Sequence, residues 1–198
     1  MGIYLVSVAA REWFGADEED GGKGAIASAL NEELRRRGLA PYVPVPEAAV
    51  PVPGPGQSFE EKLVPSMHGF DALCRRLLAP GEADLLLGWS VLVPVSLDEE
   101  IRLPLASPCT DETVIAGAPE VLALTERLAV AVRLPVDAIP EACDNLELTM
   151  WFLEGEAEEA AAARPGPWAE DLDTAFYAAL YLRAAQHALR RACPMTYC

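Results

Sequence analysis

The sequence predicts an α+β fold in a single domain, residues 1–198, with a small mixed or antiparallel sheet and about five helices. Three observations predict it. The chain has 198 residues and is 52% hydrophobic, enough to fill one core at single-domain size. Short runs of β-branched and apolar residues at 3–8, 85–97 and 101–105 have the length and flanking turns of strands. Apolar residues at helical spacing fill the intervening stretches and dominate the last third.

Taken in order, residues 3–8 read as a strand. Residues 25–37 follow as a helix, with Ile26, Leu30 and Leu34 on one face. Arg35, Arg36 and Arg37 complement the negative end of its dipole, and Gly38 stops it. Residues 41–56 are dense in proline, so they read as an extended surface crossing and not as a domain boundary. Ser58 and Glu61 match a capping box over a short helix. A helix over 69–78 ends at Pro80-Gly81, and two strands joined by Asp98-Glu99-Glu100 follow. Pro119 opens a further helix. Asp144 and Glu147 suggest another capping box, with Leu146, Met150, Leu153 and Ala157 as a buried stripe. A turn at Arg164-Pro165-Gly166-Pro167 leads to the longest helix, 168–192, apolar nearly all round and hence central. This C-terminal helical pair is expected to pack on one face of the sheet.

Charge narrows the function classes. The net charge is −16 and the isoelectric point about 4.4. Lysine occurs only at positions 23 and 62, a bias expected of a GC-rich, bacterial coding sequence. Binding to nucleic acid or anionic lipid draws on Lys and Arg, so neither DNA, RNA nor a membrane is an expected partner. A basic protein partner fits better. No apolar run reaches the roughly 18 residues of a membrane span. The apolar stretch at 3–10 has no Lys or Arg before it, so a cytoplasmic location and reduced cysteines are expected.

No motif specifies a reaction. Gly22, Gly24 and Ala27, with Glu47 beyond, match a dinucleotide fingerprint. However, the preceding strand ends too early, and Asp17, Glu18, Glu19 and Asp20 would repel phosphate. His187, Cys193 and Cys198 offer three zinc-type ligands without an evident fourth. Cys109 would need a base, and only His68 and His187 exist. No metal or other cofactor is therefore expected, and no catalytic residue is assigned.

Arg11-Glu12-Trp13-Phe14 directly follows the first strand. There Trp13 and Phe14 either cover the edge of the core or anchor a contact ringed by Asp17, Glu18, Glu19 and Asp20. The sequence thus points to an interaction protein that presents an acidic surface to a basic protein partner. The alternative is a carboxylate-dependent enzyme, with or without a divalent metal.

Overall fold

A computed structural model of the chain describes residues 2–15, 22–43, 56–107 and 110–198. Six strands form one sheet: β1 (Tyr4–Ser7), β2 (Glu60–Lys62), β3 (Val91–Val93), β4 (Ile101–Leu103), β5 (Thr113–Gly117) and β6 (Met195–Tyr197). Their order is β2-β1-β6-β3-β5-β4. Neighbours are antiparallel except for the parallel β3–β5 pair. The last strand of the chain therefore lies inside the sheet, between the first strand and β3.

Side chains alternate across this sheet as the period of two requires. Leu5, Leu92 and Ala116 point into the larger core, whereas Val91, Val93, Ile101 and Ile115 point into the smaller one. Helix α1 (Ala10–Trp13) and α2 (Lys23–Arg36) close the smaller core with Trp13, Ile26, Ala27, Leu30 and Leu34. The larger core takes the other helices: α3 (His68–Leu77), α4 (Pro80–Gly88), α5 (Ala118–Val132), α6 (Glu147–Leu153), α7 (Glu156–Ala163), α8 (Pro167–Glu170) and α9 (Leu172–Arg191). Helix α9 is buried without interruption from Thr174 to Ala185, which makes it the centre of this layer. No helix among the described residues is long and apolar enough to cross a membrane.

The mixed α+β class matches expectation, and the element count exceeds it. Among the described residues there are six strands and nine helices. Helix α2 ends as expected. Gly38 takes φ 74°, and Leu39 N–H donates to Leu34 O at 2.8 Å, closing the C-terminal turn. Five local expectations fail. Asp144 and Glu147 form no capping box, because α6 starts after Leu146 at φ 66° and the Asp144 carboxylate accepts from Gly56 N–H at 2.8 Å. The helix expected over 168–192 breaks at Asp171, whose carboxylate caps α9 by accepting from Thr174 N–H at 3.0 Å. Residues 80–88 are helical, because Pro80 suits the first turn and the Glu82 carboxylate accepts from Ala79 N–H at 2.9 Å. Ser58 and Glu61 cap no helix of their own, since residues 60–62 pair with β1. Along α6 the expected buried stripe is out of phase: Met150 and Leu153 are exposed, while Leu148, Thr149, Trp151 and Phe152 are buried. The proline-rich residues 44–55 lie outside the described residues.

Candidate functional site

Sequence-selected residues do not assemble into one site. Trp13 is buried, only 1% exposed, and its ring meets Tyr42 edge-on at 6.4 Å. It cannot serve as an exposed anchor. Helix α1 turns this indole into the smaller core, which outweighs leaving so large an apolar area in water. Phe14, the next residue, is exposed. Asp17, Glu18, Glu19, Asp20, Glu47 and Cys109 lie outside the described residues. Gly24 packs on the backbone of Gly15, and a Cβ there would collide with Gly15 O. Close chain packing thus gives this glycine a structural reason. The carboxyl ends of parallel β3 and β5, where open sheets often bind ligands, are filled by the chain itself. Glu120 at the start of α5 accepts from Ser96 Oγ and, at 3.2 Å, from Leu97 N–H.

A buried polar cluster that has no local sequence signal lies at the other end of the sheet. Glu61 on edge strand β2 is fully buried. Its carboxylate accepts from Leu148 N–H and Thr149 N–H, both at 2.7 Å, and from Thr149 Oγ at 2.6 Å. It thereby satisfies the first turn of α6 from a distant part of the chain. Burial pushes the Glu61 carboxyl up, against the downward pull of these bonds. The connection into α6 is strained. Cys143, Asn145 and Leu146 all have left-handed φ, 53°, 54° and 66°, although none is glycine. Glu60 N–H donates to Cys143 O at 3.0 Å and Leu146 N–H to Glu60 O at 2.9 Å, so this connection covers the outer edge of β2.

Helix α9 lies beneath. Arg183 is buried and donates to Val136 O at 2.8 Å and Ile139 O at 2.7 Å. One turn on, His187 is 1% exposed and packs edge-on against Phe59 at 5.6 Å. Among the described residues, neither of its ring nitrogens has a hydrogen-bond partner. Burial lowers the His187 pKa to about 4, with help from Arg190 and Arg191 and against the pull of Asp144. No group of three or more potential metal ligands, His187, Cys193 and Cys198 included, converges among the described residues.

Two thiols of this layer, Cys74 and Cys143, are buried and disfavoured as thiolates. Burial, then Asp71, pushes Cys74 up to about 12, and burial, then Glu61, raises Cys143 as well. Iodoacetamide at pH 8 is expected to leave both unmodified in native protein and to reach both in denaturant. Native labelling at either position, mapped by mass spectrometry, would contradict the buried placement.

On the outside of α6 the exposed positions Glu147, Met150, Leu153 and Glu154 fall three or four apart, on one face. Helix α7 continues the charge with exposed Glu156, Glu158 and Glu159. From residue 134 to residue 163 the chain has no Lys or Arg. Elsewhere several basic groups pair within the protein, as Arg127 does with Glu82 at 2.6 Å and Arg102 with Glu100 at 2.5 Å. No family model, curated protein or solved structure matches the chain.

Proposed function

We propose that the protein is a binding protein that engages a basic protein partner through its acidic surface, with the outer face of α6 as the centre of contact. The observation that supports this reading is the exposed stripe Glu147, Met150, Leu153, Glu154, continued by the acids of α7. Met150 is 45% and Leu153 51% exposed, an unusual outlay of apolar area on a short helix. An apolar centre with a charged rim is the anatomy of a protein contact. The uncompensated carboxylates would steer a basic surface toward it, and the apolar pair would hold it. Phe14, with Asp17, Glu18, Glu19 and Asp20 next to it in sequence, is proposed as a second acidic contact. Carboxylate catalysis has less support, since Glu61 is closed from solvent and its oxygens are already bonded to α6.

Native pull-down from lysate at graded salt tests this. Reversing Glu154, Glu156, Glu158 and Glu159 to lysine is expected to weaken capture about tenfold or more at low salt, with the difference shrinking as salt screens it. Met150→Ala with Leu153→Ala should weaken capture by a similar factor at every salt concentration. Both variants should fold normally, because a solvated surface position contributes little to stability. Capture unchanged by either variant would remove α6 as the contact.

A further inference from the structure

We propose that residues 143–149, the connection into α6 and its first turn, form an acid-released latch over the β2 edge of the sheet, with His187 as its trigger. Four observations converge on this segment. It holds three non-glycine residues in the left-handed region, a conformation that persists only while its surroundings enforce it. Its polar attachment runs through residues 56–62: Glu60 exchanges two backbone hydrogen bonds with Cys143 and Leu146, Glu61 holds Leu148 and Thr149, Gly56 N–H donates to Asp144, and Lys62 N–H donates to Thr149 Oγ. Beneath it, Arg183 and His187 stand one turn apart on α9, and Arg183 fixes the carbonyls of Val136 and Ile139 on the approach. Finally, the His187 ring is buried with both nitrogens unpartnered, against Phe59, which directly precedes the residue that grips the segment. Buried polar groups nearly always have partners, so this ring is an exception that calls for a role.

The direction of the response follows from the charges around His187. Arg190 and Arg191 on its own helix disfavour a cation there, and among the described residues Asp144 in the latch favours it. Phe59, from the segment entering β2, offers no charge. With the latch closed the imidazole stays neutral down to about pH 4, whereas a solvated imidazole takes its proton near 6.5. The open state therefore binds a proton over this window that the closed state refuses. Closure weakens as the pH falls from about 6.5 to about 4 and changes no further below that. Glu61 acts in the opposite sense. Its raised carboxyl binds a proton more readily when closed, so it favours closure in acid and cannot cause release. Release would uncover the Glu60 N–H and C=O, giving the sheet an edge able to pair with another strand.

Amide hydrogen exchange read by NMR across pH tests the latch. In the unaltered protein, protection of Leu146, Leu148 and Thr149 is expected to fall by about 80-fold between pH 6.5 and 4, and by about 300-fold only across the whole transition, tenfold for each unit of the His187 shift. The α9 amides of Ala178 to Leu182 should keep theirs. His187→Phe preserves a ring against Phe59 and should abolish the fall. Asp144→Asn keeps an acceptor for Gly56 N–H (2.8 Å in the native protein) and should leave the fall in place. The proposal is overturned if His187→Phe loses protection as the parent does, or if α9 loses protection in step with the latch. Should His187→Phe not fold, direct titration of the His187 imidazole in the parent decides. A native midpoint near 4, or none above it, supports the latch, and one near 6.5 overturns it.

Discussion

Replacing Glu61 with alanine is expected to destabilise the protein by about 3–5 kcal/mol and to detach α6 from the sheet edge. The size follows from what remains behind. Burying a carboxylate costs several kcal/mol, and three charge-assisted hydrogen bonds of roughly 1.5–3 kcal/mol each offset that in the native protein. Alanine removes the charge together with its burial cost, but it leaves Leu148 N–H and Thr149 N–H without acceptors in a dry environment. It also opens a cavity where a fully buried side chain had been. Glutamine separates these contributions. It keeps the shape and one acceptor oxygen, while turning an amide group toward donors at the other. Glu61→Gln should therefore cost about 1–2 kcal/mol, well short of alanine. Thr149→Val removes the hydroxyl that donates to Glu61 at 2.6 Å and accepts from Lys62 N–H at 3.1 Å, and should cost about 1–2 kcal/mol.

Urea unfolding followed by circular dichroism gives all three values. Tryptophan fluorescence adds a local view when the parent is read against Trp151→Phe, which isolates Trp151 from Trp13, Trp89 and Trp168, because Trp151 lies in α6, buried against Phe152 at 4.8 Å. In Glu61→Ala the Trp151 signal should change at lower urea than the signal from the rest of the sheet. Coincident transitions at the parent midpoint would mean that α6 is held by its apolar contacts alone. The polar cluster would then contribute nothing measurable to its seat.

Elements defined by their own residues were legible in the sequence. Helix α2 has an apolar face at spacing four and a glycine that must take positive φ, so both its existence and its end could be read. Strand β1 was equally plain. Legibility fails where distant contacts choose between local options. Ser58 and Glu61 fit a capping box, yet Phe59 and Glu61 turn inward on a strand because β1 offers pairing and α6 offers donors. Leu85, Leu86 and Leu87 suit a buried strand or a buried helix alike, and Pro80 with Glu82 decides for helix. The buried face of α6 was misjudged because Leu146 was counted into a helix that begins one residue later. The candidate site shows the same division. The exposed acids were readable as a charge pattern, but the choice for Trp13 between an anchor and a cover of the core edge was not, because nothing adjacent reveals the smaller core it completes. Glu61 and His187 are far apart in sequence and lie in ordinary local contexts. Only the fold puts both beside the same connection.

Removing residues 194–198 is expected to abolish cooperative folding, the largest effect that any small change should have. Strand β6 pairs with β1 through Leu5, Val6 and Ser7, and with β3 through Val91 and Leu92. Its flanks add Val8 N–H to Pro194 O and a reciprocal pair between Tyr4 and Cys198, each at 2.9 Å. Without it, β1 and β3 lose the partner between them, and the sheet divides into β2-β1 and β3-β5-β4. Two-stranded pieces are marginal in water. The larger core is breached as well. Met195 is fully buried, Trp89 stacks on Tyr197 at 5.0 Å, and the Tyr181 and Tyr197 hydroxyls are 2.8 Å apart. Lost pairing and newly exposed aromatic area together rival the roughly 5–15 kcal/mol that holds a typical domain folded. Met195→Ala provides a graded comparison. It trims one core side chain without touching the backbone ladder and should cost about 2–5 kcal/mol while keeping a sharp transition. Near-ultraviolet circular dichroism and scanning calorimetry distinguish the two cases. A truncated protein that still melts cooperatively within a few degrees of the full chain would show that β1 and β3 can close on each other. The placement of the C-terminal strand as the joint between the two halves of the sheet would then be wrong.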